Sequence, residues 1–208
     1  MKKYLNFIKS NTRINKNLFI FLIVLVMIGI SSGSVFVTFL DGNDKVMVNN
    51  YLNDFLNSIN LSKLNYSVSL VNTLIFTLGF AIMIWIFGIS IVGFLFILIM
   101  LFVKSFSLGF SLGSIIINFK FKGILLSFLY IVPHHVINMM VYILLSSYAL
   151  ILSYKLFNSF VKKTTFDFKN IFRKYCFILL FSLIILFLSS LYEVYCVPYL
   201  LKLLNNII

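Results

Sequence analysis

Between Lys63 and Lys104 the chain runs for 40 residues without a charge, and another 15 uncharged residues separate Lys104 from Lys120. From Gly123 to Tyr154 there are 32 more. A single membrane-spanning helix needs about 20 apolar residues, or about 25 when tilted. Tyr66 to Asn118 is therefore long enough for two passes and Gly123 to Tyr154 for one. The runs Leu18–Leu40 and Tyr175–Val197 add one pass each, which predicts an all-α, polytopic membrane bundle of about five transmembrane helices. The rest of the composition agrees: 62% of residues are hydrophobic, 11% are charged, and the mean hydropathy is +1.08. No stretch outside these runs is long enough for a soluble core, so residues 1–208 read as a single membrane domain.

The net charge of +12 raises the question of nucleic acid. Its distribution points elsewhere, to anionic membrane lipid. Lys2, Lys3, Lys9, Arg13 and Lys16 precede the first apolar run, and Lys155, Lys162, Lys163, Lys169, Arg173 and Lys174 precede the last. By the positive-inside rule both segments, residues 1–17 and 155–174, are cytoplasmic. Two basic segments on one side require an even number of crossings between them, which passes one to four supply. The N-terminus is then inside, the C-terminus outside, and the segment 41–65 is an external loop. Within it Val46, Val48, Tyr51, Leu52, Phe55, Leu56 and Ile59 recur at helical spacing, which predicts a short amphipathic helix. The apolar run after the basic N-terminus is too long for the core of a signal peptide and no small-residue cleavage pattern follows it, so it is expected to remain as an anchor.

Lys120 and Lys122 mark a short external turn between passes three and four. The inner turn between passes two and three carries no such mark. "WIFGISIVGF", with Gly88 and Gly93, is the expected place, because glycine lets the backbone bend there. Lys104 then lies about halfway along pass three. The rival placement, a turn at Lys104 itself, would leave a helix of nearly 40 residues before it.

"KSFSLGFSLGS" puts Ser105, Gly109 and Gly113 at i, i+4 and i+8, giving one face of pass three almost no side chains. Close helix packing follows, either within the bundle or against a partner's transmembrane helix. Lys104 and Glu193 are ionisable groups inside spans, where keeping a charge costs energy. Lys104 either pairs with Glu193, snorkels, or meets a carbonyl. On pass four Pro133 removes a backbone donor and is expected to kink the helix. His134 and His135 follow; being adjacent, they point about 100° apart and cannot share a metal as an i, i+4 pair could. His134 and Asn138 do share a face, suited to a polar bond with a neighbouring helix, with Glu193 or a serine as its partner. Cys176 and Cys196 sit near opposite ends of the last run, too far apart to bridge. No carboxylate pair, nucleophile and base, or metal cluster accompanies these groups, so no enzyme activity, cofactor or metal is expected.

In order along the chain, "FGISIVGFLFILIMLFVKSFSLGFSLG", "IVPHHVIN" and "YEVYCVP" resemble the glycine-rich, proline-histidine and glutamate-tyrosine-proline segments of the stage II sporulation protein M family. The resemblance covers essentially the whole chain and points to Gly88, Gly93, Lys104, Gly109, Gly113, Pro133, His134, Glu193 and Pro198. One departure stands out: many relatives follow the proline-histidine pair with a glycine and a glutamate, where this chain has His135 and, nearby, Asn138. The resemblance implies a multi-pass protein of the mother-cell membrane in an endospore-forming bacterium. It implies a scaffold that recruits stage II sporulation protein P, an amidase and endopeptidase, and stage II sporulation protein D, a lytic transglycosylase, for septal wall remodelling and engulfment. Self-association is left open. The competing reading is a transporter or permease-like component using Lys104, His134 and Glu193 as an intramembrane polar pathway; five passes without visible internal symmetry weigh mildly against it.

Overall fold

The computed structural model describes residues 16–60, 65–130, 132–162 and 168–199. The described residues form six helices in chain order: α1 Lys16–Phe36, α2 Gly42–Asn60, α3 Tyr66–Ile89, α4 Gly93–Tyr130, α5 Val132–Lys162 and α6 Phe168–Leu191. A 3-10 turn, Val37–Phe39, ends α1, and a π-helical turn, Tyr192–Cys196, continues α6. Five segments are long and apolar enough to cross a membrane: Lys16–Phe39, Tyr66–Ile89, Gly93–Phe121, Val132–Val161 and Phe168–Tyr199. In a bilayer only a helix or a closed barrel satisfies its own backbone, and these sequences take the helical solution throughout.

The inner turn falls at Ser90–Val92, between α3 and α4, where the glycines placed it. The amides of Ser90 and Gly93 donate to Phe87 O and Ser90 O at 3.0 and 3.2 Å, and a Cβ on Gly93 would collide with Phe87 O. The rival turn at Lys104 is excluded, because α4 passes through that residue unbroken. Side chains from neighbouring helices donate to carbonyls on α3 and its turn. Ser153 Oγ donates to Ser90 O at 2.8 Å, Tyr175 Oη to Trp85 O at 3.0 Å, and Tyr142 Oη to Thr77 O at 3.1 Å. Tyr175 is only 2% exposed and its ring stacks on Trp85. Tyr175→Phe removes this second donor to the carbonyl, and is expected to cost about 0.5–1.5 kcal/mol in unfolding from detergent micelles.

The reversal between passes three and four is tighter than an ordinary loop. It takes place at Lys120, whose φ of 49° is the one positive value among non-glycine described residues. The chain returns antiparallel to itself, so that Gly123 sits against Ile115 and Ile116. Residues 121–130 follow that reversal, Ile131 lies outside the described residues, and α5 is described from Val132. Pro133 is the second described residue of α5.

α1 and α4 run parallel and interlock through small residues on both sides. Gly109 lies on the backbone of Ile30, Gly113 on Ser34, Gly29 on Ser105 and Gly33 on Phe106. The Ser105, Gly109 and Gly113 face is therefore occupied from within the chain, and no partner helix has access to it. Gly88 similarly admits Tyr175 and Ala149.

This path brings Lys16, the α3–α4 turn, the end of α5 and the start of α6 to one end of the bundle. Lys155 and Lys162 belong to the last turns of α5, and Lys169, Arg173 and Lys174 to the first turns of α6. The segment 155–174 is thus largely helix; Asp167 and Lys163, like residues 1–15, lie outside the described residues. α2 stands at the opposite end with Asp44 in its first turn, and its Val46 and Tyr51 are exposed.

Candidate functional site

The polar residues of the spans gather between the middle of α4, the first half of α5 and the end of α6. His134 is 2% exposed, and its Nε2 stands 3.8 Å from Glu193 Oε2. Glu193 is carried by the π-helical turn, an irregularity found mostly where a helix must present a particular side chain. Ser189 Oγ, one turn earlier, donates to His134 O at 3.4 Å. α5 and α6 are therefore tied together at this level by a side-chain pair and a serine-to-backbone bond. Tyr195 stacks on Tyr66 of α3 at 5.9 Å, which extends the tie to a third helix.

Of the expected group, His134 and Glu193 come together. Lys104 does not join them by contact. Glu193 acts on Lys104 through space, but no ion pair within 4.0 Å joins them among the described residues. The ammonium instead lies over the ring of Phe80, 5.5 Å from its centroid, a cation–π distance. Asn138 is 4% exposed and faces Lys104 rather than Glu193. His135, to which the sequence assigns no partner, packs its ring beside that of His134 with centroids 4.3 Å apart.

Lys104, Ser107, Ser111, His135, Asn138 and Tyr142 line a cavity of about 40 Å³ between α4 and α5. Ser107, Ser111 and Tyr142 were not singled out in the sequence. Ser107 and Ser111 could have been, since they lie at i+3 and i+7 from Lys104 and so on its face. Gly29 and Gly33, the other half of the α1–α4 contact, were also legible, as "GISSG" is itself a small-xxx-small motif.

Chemically, the cluster offers buried hydrogen-bonding and charge, with a histidine and a carboxylate within reach of each other. Among the described residues no group of three or more His, Cys, Asp or Glu is placed to share a metal. The serines beside it, Ser189 and Ser190, give their hydroxyl protons to backbone carbonyls.

No curated protein and no solved structure is significantly similar to this chain. A family model does match, that of stage II sporulation protein M, over residues 20–198. The matched region contains the three middle spans and most of the first and last, with the α1–α4 glycine contact and the His134–Glu193 tie. The chain belongs to the stage II sporulation protein M family and is a sporulation-related, multi-pass membrane protein.

Proposed function

We propose that this chain is a non-enzymatic scaffold that recruits and localises peptidoglycan hydrolases at the sporulation septum. Its partners are stage II sporulation proteins D and P, and their joint work is the septal wall remodelling that lets the mother cell engulf the forespore. The family match over residues 20–198 carries this reading. The geometry supports it, because small residues and buried polar groups are used to hold helices to one another. α2, with Val46, Met47 and Tyr51 exposed, supplies a surface outside the spans. The basic end of the bundle, with Lys16, Lys155 and Arg173, faces the cytoplasm under the positive-inside rule, which turns α2 toward the wall.

The transporter reading needs a continuous aqueous path through Lys104, His134 and Glu193. The cavity beside Lys104 is about 40 Å³ and is lined by neither His134 nor Glu193, which weighs against such a path. Imaging a fluorescently labelled hydrolase in sporulating cells tests the scaffold directly. Deleting this chain is expected to disperse the hydrolase from the septum and to stall engulfment; a hydrolase that stays septal would overturn the proposal.

A further inference from the structure

Lys104 is the twelfth residue of a 29-residue span, so its ammonium lies near the middle of the membrane thickness. Burying a lysine there is costly, and the cost is ordinarily offset by an opposite charge or by backbone carbonyls. Glu193 is the only acid in any span, and it is engaged with His134 at 3.8 Å. Beside Lys104 the α4–α5 cavity also holds Asn138, 4% exposed, whose amide oxygen has no hydrogen-bond partner. A cation held by the Phe80 ring, with no carboxylate within 4.0 Å among the described residues, and an unsatisfied buried amide therefore face one small space.

The size of that space restricts its occupant. About 40 Å³ admits roughly three water-sized centres, at 10–15 Å³ each, whereas pockets for free small molecules run to about 300–1,000 Å³. It fits the three heavy atoms of a carboxyl group. Its mouth is also at the right place for a helix. Ser107 lines it and is exposed, and Phe96, Ile99 and Val103 continue the exposed stripe of α4 from that mouth at helical spacing. A second copy of this chain would have to bring its own Glu193, which stands 3.8 Å from its own His134.

We propose that this pocket receives the carboxyl side chain of an aspartate or glutamate in the transmembrane helix of a different, membrane-anchored protein, with Lys104 as its charge partner. The inference rests on the scaffold reading for the expectation that such a partner exists. The helix lies along the Phe96, Ile99 and Val103 stripe, and its acid passes Ser107 to reach Lys104 and Asn138.

Photocrosslinking in native membranes of sporulating cells tests it. A photoreactive amino acid at Val103 is expected to form an adduct with a protein whose crosslinked span contains Asp or Glu. Lys104→Met, or replacement of that acid by its amide in the partner, should each reduce the adduct at least tenfold. Probes at Ile75 and Ile184, on other exposed faces, should report unchanged protein levels and lipid adducts throughout. The amide replacement leaves this chain intact, so it remains decisive even if Lys104→Met impairs folding. Adducts confined to lipid, a crosslinked span without an acid, or an adduct insensitive to both substitutions would each overturn the proposal. Septal wall hydrolases recovered normally with Lys104→Met would sink the pocket and spare the scaffold; an acid-bearing partner unrelated to wall hydrolysis would do the reverse.

Discussion

Gly109→Leu is expected to prevent stable assembly of the bundle. A Cβ at Gly109 would fall on the carbonyl of Ile30, inside any real contact distance. The obstacle is backbone on a parallel helix, so no side-chain rotation relieves it. Relief requires α1 and α4 to separate, which also loosens Gly113 from Ser34 and Gly29 from Ser105. Overpacking a well-fitted core ordinarily costs about 1–3 kcal/mol, and this site is expected at or above the top of that range. Unfolding in detergent micelles measures it, and accumulation in the membrane should fall in parallel. Gly79 supplies the control, since a Cβ there meets nothing within 4 Å. Gly79→Leu should stay within about 0.5 kcal/mol of the parent protein, as surface substitutions usually do. Equal effects at both glycines would mean that the α1–α4 contact does not hold the bundle together.

The second large effect is expected at the His134–Glu193 tie. Removing one partner of a buried pair costs about 3–5 kcal/mol, chiefly because the other is left without compensation. Glu193 is 24% exposed, which moderates the figure, so about 2–3 kcal/mol is expected for His134→Leu and for Glu193→Leu separately. The double substitution should cost no more than the worse single one, because both polar groups have then gone. A double-mutant cycle reads the difference as a coupling energy. Additive losses would show that the two residues act independently. His134→Asn, which keeps a hydrogen-bonding side chain in the same place, is expected to leave recruitment of partners largely intact. Complete loss of recruitment at normal protein levels would instead point to a proton-handling role for the imidazole.

These two sites also show how far the sequence could be read. The spans were legible because charge is absent over long runs, and the ends were legible because Lys16, Lys120 and Lys155 interrupt them. Gly88 and Gly93 marked the uncharged turn, since a chain must bend somewhere in 40 apolar residues and bends where the backbone is least hindered. His134 and Glu193 were recognised as a pair to test because buried ionisable groups need partners. The tight reversal at Lys120 was less visible, because a positive φ at a lysine has no sequence signature. Pro133 announces an irregularity, but a proline is as compatible with a helix start as with a kink.

What the sequence did not contain is the rotational phase of each helix against its neighbours. Ser105, Gly109 and Gly113 formed a smooth face whichever surface met it; that α1 fills it depends on Gly29 and Gly33 being at matching heights. His134 and His135 were equivalent by type. α5 is turned so that one meets α6 and the other the cavity, and Asn138 follows His135 rather than Glu193. Tyr142 entered the same cavity lining because its hydroxyl is drawn to Thr77 O, a contact across 65 residues of chain. Such pairings are properties of the packed bundle and have no local signature.

The proposed role makes the bundle a platform for wall hydrolases. Affinity purification from mildly solubilised membranes of sporulating cells, with mass spectrometry of the co-purified proteins, tests it most directly. A wall amidase and a lytic transglycosylase are expected to co-purify with the wild-type chain and to be lost with Gly109→Leu. Their repeated absence after crosslinking, with the bait abundant, would contradict it.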